Sequence, residues 1–305
     1  MPAKTEIELP DRALASWFGS DRMIGPMVGQ ELTGCSWVGV PFGGAMSSLD
    51  SIEARGLVVC DKHRHIINLA RAVAHPASHD DQDRFRELVR RWSDAPFHPD
   101  VLAMAQDFCR KNEPRPNRWP CDLDAAYWYF IASWMGRGHK GGTVDEFNGG
   151  LSTRWNANGG DSAVRYRSAI RAVVAWRRLF RRCCFHVLDA LLFIPNCPDT
   201  PDTGIYVDPP FPGPGEKYRH KFGIPEHREL ARQLGKFTQA RVICRFYDHE
   251  LIRELYPEQP AGPWHWRRIK GRKQTNDEAP EVLIMNGPSR APRDAGGAGL
   301  FDEAI

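Results

Sequence analysis

The chain carries two hydrophobic rhythms. Compact apolar and β-branched runs at residues 36–40, 56–61, 184–189, 205–207 and 240–247 read as buried strands. Apolar residues recur every three or four positions at 61–73, 225–234 and 248–257, the pattern of helices with one face on a core. Strands alternating with such helices predict an α/β fold built on a mostly parallel sheet. Residues 16–32 open with an aromatic-glycine turn and continue as a short amphipathic helix. The small-residue loop Pro41–Ser48 is predicted to open another helix, so that strand, Gly-rich turn and helix N-terminus together offer backbone amides to a polar ligand. Residues 263–286 read as a terminal β-hairpin with a charged tip that includes Arg268 and Lys270.

The alternation breaks over residues 76–174. Two amphipathic helices (80–92 and 100–112), a Pro/Arg loop and a dense aromatic helix (125–136) are followed by a glycine- and asparagine-rich stretch to residue 162. That stretch is too polar for a core and too long for a simple connection, which marks it as a binding loop. Arg137, His139, Lys140, Arg154 and Trp155 supply its cations and stacking rings, suited to phosphates and base edges. A solvated loop with incidental charge is the plainer alternative. The helix that follows, from Arg165 to Arg182, is rich in arginine.

Composition narrows the class without deciding it. The 305 residues, 42% hydrophobic, can bury a sizeable core, and a net charge of +3 leaves any nucleic-acid footprint to local clustering. The eight cysteines show no Cys-x-x-Cys spacing, so neither a zinc site nor a disulfide framework is expected. No stretch reaches the ~20 apolar residues of a membrane span, and the N-terminus is polar. The expectation is a cytoplasmic protein, monomer or weak dimer, with a tail at 287–305 too rich in Gly, Ala and Pro to order.

Acids stand at three strand ends. Asp61 closes the second run, where nucleotide-binding α/β folds place a ribose acceptor, and it is alternatively the N-cap of the next helix. His63 and His65 read as packed or solvated rather than as a metal pair. Asp189 ends the run at 184–189. The third acid is in Ile205-Tyr206-Val207-Asp208-Pro209-Pro210-Phe211, a strand stopping at a rigid loop. Pro209 and Pro210 have no amide proton and a fixed φ, so carbonyl oxygens stay unpaired beside a carboxylate and a ring face. That set suits a flat heterocycle bearing an amino group. The mobile-looking loop that follows adds Tyr218 near the same place.

Trp17-Phe18-Gly19-Ser20, then Pro41-Phe42-Gly43-Gly44, then Asp61, a long insert and Asp208-Pro209-Pro210-Phe211 follow the layout of the Dam-type (α-group) DNA adenine-N6 methyltransferases. The chain resembles that family over roughly residues 15–286. The resemblance implies a Rossmann-like class I methyltransferase sheet (residues 11–75 and 175–286) with an inserted, mainly helical target-recognition domain at 76–174. It implies S-adenosylmethionine as cofactor and double-stranded DNA as partner, with Arg137, His139, Lys140, Arg154, Trp155, Tyr218, Arg268 and Lys270 as DNA contacts. Trp17, Phe18 and Gly19 would close the cofactor pocket, Pro41, Phe42, Gly43 and Gly44 would lie along its amino-acid part, and Asp61 and Asp189 would meet its ribose and adenine. Asp208 and the Pro209 carbonyl would accept the amino hydrogens of a flipped adenine while Phe211 stacks on it.

The chain departs from the family pattern at three places. The acid expected before Pro-Phe is Val40, the second loop glycine is Met46, and the expected lysine is Asp21, with Arg22 and Asp50 as the nearby charges that could compensate. Those changes keep open a methyltransferase-like DNA-binding subunit, and the shared signature keeps open RNA or single-stranded DNA as substrate. Cytosine ring-carbon methylation, which needs a cysteine nucleophile, has only Pro120-Cys121 to offer.

Overall fold

The apolar runs pair into one sheet. The computed structural model describes residues 10, 12–75, 81–153, 161–269 and 281–290. Its strands are β1 (Trp37–Val40), β2 (Gly56–Asp61), β3 (Cys183–Val187), β4 (Thr203–Val207), β5 (Arg241–Tyr247), β6 (His265–Arg268) and β7 (Glu281–Met285). They lie in the order β3-β2-β1-β4-β5-β7-β6. The first five are parallel to one another, and β7 runs antiparallel between β5 and β6. This is an α/β fold on a mostly parallel sheet, as the sequence pattern predicts; with its antiparallel C-terminal strand it is compatible with a Rossmann-like fold. The chain order reverses between β1 and β4, and in open α/β sheets the crevice beyond the strand ends at such a point is where ligands bind.

Helices α1 (Gly25–Glu31), α2 (Arg64–Ala74), α3 (Asp81–Asp94), α4 (Pro99–Lys111), α5 (Leu123–Met135), α6 (Ser162–Phe180), α7 (Ala190–Phe193), α8 (Ile224–Leu234) and α9 (Glu250–Leu255) complete the described elements. Every residue of β4 is buried because both of its faces are covered, and its side chains divide by strand parity. Tyr206 joins a cluster with α2, α5 and α6, while Ile205 and Val207 face α8 and α9. Helices α3–α5 do not close a core of their own. Trp92 of α3 packs on Phe130 of α5 with ring centroids 4.3 Å apart, within the same buried cluster as Leu57 and Ile66.

The structure corrects three local expectations. No α-helix opens after Pro41–Ser48; the loop passes into a single 3-10 turn, Leu49–Ser51. Its place is taken by α1, which approaches so closely that a Cβ on Gly29 would lie 2.0 Å from the Ser51 carbonyl oxygen. Asp61 does not cap α2; the His63 ring does, its Nδ1 accepting the Ile66 amide at 3.3 Å. The ordered chain also runs past 287, since the Arg290 amide donates to Glu31 at 2.8 Å; residues 291–305 lie outside the described residues. Among the described residues no helix is long and apolar enough to cross a membrane.

Candidate functional site

At the carboxyl end of β4 the chain leaves the sheet through Asp208-Pro209-Pro210-Phe211, and β5 supplies the partner that holds this turn. Arg245 Nη1 donates to Asp208 Oδ2 at 3.1 Å and to the Gly19 carbonyl at 3.1 Å. Its Nε and Nη2 donate to Glu281 Oε2 at 3.1 and 3.0 Å. The guanidinium lies 5.4 Å from the centre of the Phe211 ring. A buried arginine shared by two carboxylates keeps its charge: burial opposes ionisation, but Asp208 and Glu281 hold the guanidinium well above its ordinary range. Burial pushes the Asp208 carboxyl up to about 7 against the pull of Arg245. The Asp208 side chain keeps 16% of its surface open, so solvent in the cleft tempers that rise.

Asp208 stands on the wall between two clefts. The first, of about 820 Å³ with its open mouth included, lies over the crevice between β1 and β4. Its wall includes Trp17, Phe42, Gly43, Asp61, Asp189 and Pro210. The second, of about 1280 Å³, is walled by Pro209, Phe211, Arg245, Tyr247 and Glu281, together with Phe18 and His139. Trp17, Gly19, Ser20 and Tyr218 line both. A reacting group in one cleft and a flat group in the other would therefore meet across Asp208.

The first cleft is shaped mainly by backbone. Gly43 cannot carry a side chain, because a Cβ there would lie 2.7 Å from Val59, and Gly44 sits at φ +45° under the Trp17 ring. The loop amides are committed internally: Gly43 N–H donates to the Cys60 carbonyl at 2.8 Å and Gly44 N–H to Asp61 Oδ2 at 2.8 Å. Asp61 takes a second amide, from His63, on Oδ1 at 2.8 Å. Its carboxylate is thus oriented at the rim with lone pairs to spare. Asp189 accepts from the Leu191 amide (2.9 Å) and pairs with Lys62 (3.0 Å) on the facing side.

A roof of main chain closes over the cleft. Trp17 bridges to Gly141, Thr143 to Tyr218, and the Arg219 amide donates to the Gly142 carbonyl at 2.9 Å. Beneath it, buried Glu146 accepts from Tyr129 (2.7 Å) and from the Gly142 amide (3.2 Å), and its Oε2 lies 2.6 Å from His63 Nε2. Burial opposes charging either partner, yet each supports the other: Glu146 raises the His63 pKa, and His63, Tyr129 and Gly142 lower that of Glu146. Gly142 has φ +76°, and a Cβ on it would lie 2.5 Å from the Trp17 ring. Gly142→Ala is expected to cost about 1–3 kcal/mol of stability and to loosen the roof, read as a lower denaturation midpoint with weaker ligand binding in the first cleft.

The sequence-predicted residues divide. Trp17, Gly19, Pro41, Phe42, Gly43, Gly44, Asp61 and Asp189, together with Asp208 and Pro210, line the first cleft. Phe18 does not: it faces the second cleft, edge-on to Tyr218 at 5.5 Å. Of the predicted DNA contacts, Tyr218 and His139 line the second cleft. Arg137 is exposed beside it in sequence, and Lys140 donates to the Asn148 carbonyl at 2.8 Å. Arg268 lies on neither wall and pairs with Glu258 at 2.8 Å, because β6 is the far edge of the sheet. Arg154, Trp155 and Lys270 lie outside the described residues. Cys121 is buried, its Sγ 4.0 Å from the His75 carbonyl, and lines neither cleft.

Sequence reasoning missed Arg245, Glu281 and the His63–Glu146–Tyr129 network. Arg245 had one signal, a cation inside the apolar run Arg241–Tyr247, which a buried strand tolerates only with a partner. Among the described residues no group of His, Cys, Asp and Glu is arranged to hold a metal. No protein-family model matches the chain, and no curated protein matches its sequence.

Proposed function

We propose that this chain transfers the methyl group of S-adenosylmethionine to the exocyclic amino nitrogen of an adenine flipped out of DNA. The observation that carries the reading is the position of Asp208-Pro209-Pro210-Phe211, at a parallel-strand end beside the order reversal, on the wall shared by two clefts. The strand order and the antiparallel β7 agree with the class I methyltransferase sheet that the sequence resemblance implies. The glycine loop, strand-end acids and aromatic rings of the first cleft fit an adenosine-bearing cofactor. Asp61 lies 17 residues after Gly44, near the ~20-residue separation of a glycine loop and its ribose acceptor in dinucleotide-binding folds.

S-adenosylmethionine supplies an electrophilic methyl group, so the chain needs no covalent intermediate. Its residues bind and orient the acceptor. The second cleft admits a flat base beside Phe211, with Arg245 fixing that ring. Asp208 Oδ1 and the Pro209 carbonyl accept the two amino hydrogens, which directs the nitrogen lone pair toward the first cleft. Arg245 occupies Asp208 Oδ2, so Oδ1 is the atom left to take the proton that nitrogen loses. Trp17 and Tyr218 exclude water from the junction.

The test is methyl transfer from labelled S-adenosylmethionine to unmethylated duplex DNA, single-stranded DNA and RNA in parallel. The expected result is adenine-N6 label on duplex DNA. DNA binding without transfer would point instead to a methyltransferase-like binding subunit, and label on single strands alone would reassign the substrate.

A further inference from the structure

The first cleft carries four carboxylates, Asp21, Asp61, Asp189 and Asp208. Positive or hydrogen-donating partners already hold three of them. Asp61 accepts two backbone amides, Asp189 has the Lys62 ammonium and the Leu191 amide, and Asp208 has the Arg245 guanidinium. Asp21 differs. Among the described residues its side chain accepts from the neutral Tyr206 hydroxyl, at 3.1 Å on Oδ2, and makes no close ion pair, although the Arg245 guanidinium acts on it from further away. Arg22, next in sequence, turns away to donate to the Pro10 carbonyl at 2.7 Å. A half-buried carboxylate on a cleft wall, with one neutral donor on Oδ2 and no hydrogen-bond donor on Oδ1 among the described residues, is a place for a cation.

Its location says which part of a ligand it meets. Tyr206 stands on β4 one step beyond Ile205, and Ile205 pairs with Gly39, so Tyr206, whose hydroxyl donates to Asp21, stands level with Val40 at the end of β1. Ser20 Oγ donates to Ser47 Oγ at 3.0 Å, which ties this turn to the loop that follows Gly43 and Gly44. Val40 is only 2% exposed and does not reach the wall, and Met46 is equally buried. Asp50 is no substitute: it is absent from the wall, and burial raises its carboxyl pKa, favouring the neutral form. The N-terminal turn thus brings an acid over the strand end where the strand itself has none.

We propose that Asp21 binds the ammonium group of the amino-acid portion of the ligand in the first cleft. This rests on the cofactor reading above. The replacement of a lysine by Asp21 and of an acid by Val40 then amounts to one change, a carboxylate transposed from β1 to the turn at residues 17–21. Asp21 is a binding residue here; it does not touch the transferred methyl group.

Calorimetric titration with S-adenosylhomocysteine and with its desamino analogue tests this. The wild-type chain is expected to bind the first more tightly. Asp21→Asn keeps an acceptor for the Tyr206 hydroxyl and removes the charge. It is expected to weaken S-adenosylhomocysteine binding roughly 10- to 100-fold while leaving the desamino analogue within about 3-fold of wild type, which also shows that the variant is folded. Asp21→Ala is expected to show the same selective loss. Equal losses for both ligands, or no loss for either, would overturn the assignment of Asp21 alone. Failure of the wild-type chain to bind either adenosine ligand would overturn the cofactor reading itself and the assignment with it.

Discussion

Asp208→Ala is expected to lower kcat for methyl transfer by roughly 10²- to 10⁴-fold while leaving affinity for S-adenosylhomocysteine and for DNA within a few-fold. The reason is positional. Asp208 is on the wall of both clefts, yet the adenosine side of the first cleft is built from the glycine loop, Asp61, Asp189 and the aromatic roof, none of which depends on the Asp208 carboxylate. In the proposed reaction, what alanine removes is the acceptor that orients the amino nitrogen and takes its proton, an interaction made only as that reaction proceeds. Single-turnover rates measured beside equilibrium binding separate the two effects. Loss of ligand binding in parallel with turnover would place Asp208 in the cofactor site rather than the acceptor site.

The second large effect is expected at Arg245. Arg245→Met leaves Asp208 and Glu281 facing each other without their shared cation, and removing one partner of a buried ionic group costs about 3–5 kcal/mol. The loss depends on pH. Burial already holds the Asp208 carboxyl near 7, above its unfolded value, with Arg245 pulling it down. A carboxyl whose pKa is higher in the folded chain binds more protons there, so its contribution to stability is present at low pH and is lost as pH rises through the folded value. Without Arg245 that value climbs further. Denaturant unfolding is therefore expected to show Arg245→Met far less stable than wild type at pH 8 and nearer to it at pH 5.5. The acid limb of kcat/KM is expected to move up in this variant. It is expected to move down in Asp21→Asn, because Asp21 is a negative neighbour that raises the Asp208 pKa. Limbs that do not move would mean that Asp208 is not the titrating group.

The sheet and the strand-end acids were legible in the sequence because both follow local rules. A buried parallel strand must read as a continuous apolar run, and a ligand crevice in such a sheet lies just beyond the run, where Asp61, Asp189 and Asp208 stand. What the sequence hid depends on long separations. Arg245 meets Asp208 and Glu281 across 37 and 36 positions, and Glu146 meets His63 across 83, so no spacing rule could pair them. The helix predicted after Pro41–Ser48 failed for a tertiary reason: α1 already packs against that turn. Asp21 was visible only as a departure from the family pattern, and its meaning came from the Tyr206 hydroxyl on a strand 185 positions away. Helices α3–α5 were legible one by one, but their sharing of a core with the sheet was not, because an apolar face does not say what covers it.

The roof at Trp17, Gly141 and Tyr218 sets a clock. Side chains in a cleft mouth turn over within picoseconds to nanoseconds, whereas loops laced to one another by main-chain bonds part together, on the microsecond-to-millisecond scale of collective motions. Here the lacing joins the N-terminal turn, the loop of the long insert and the loop after Asp208-Pro209-Pro210-Phe211. Under the proposed function, a spent cofactor leaving through that mouth waits for this clasp to undo. Tyr218 lines both clefts, so the same parting would open the second as well.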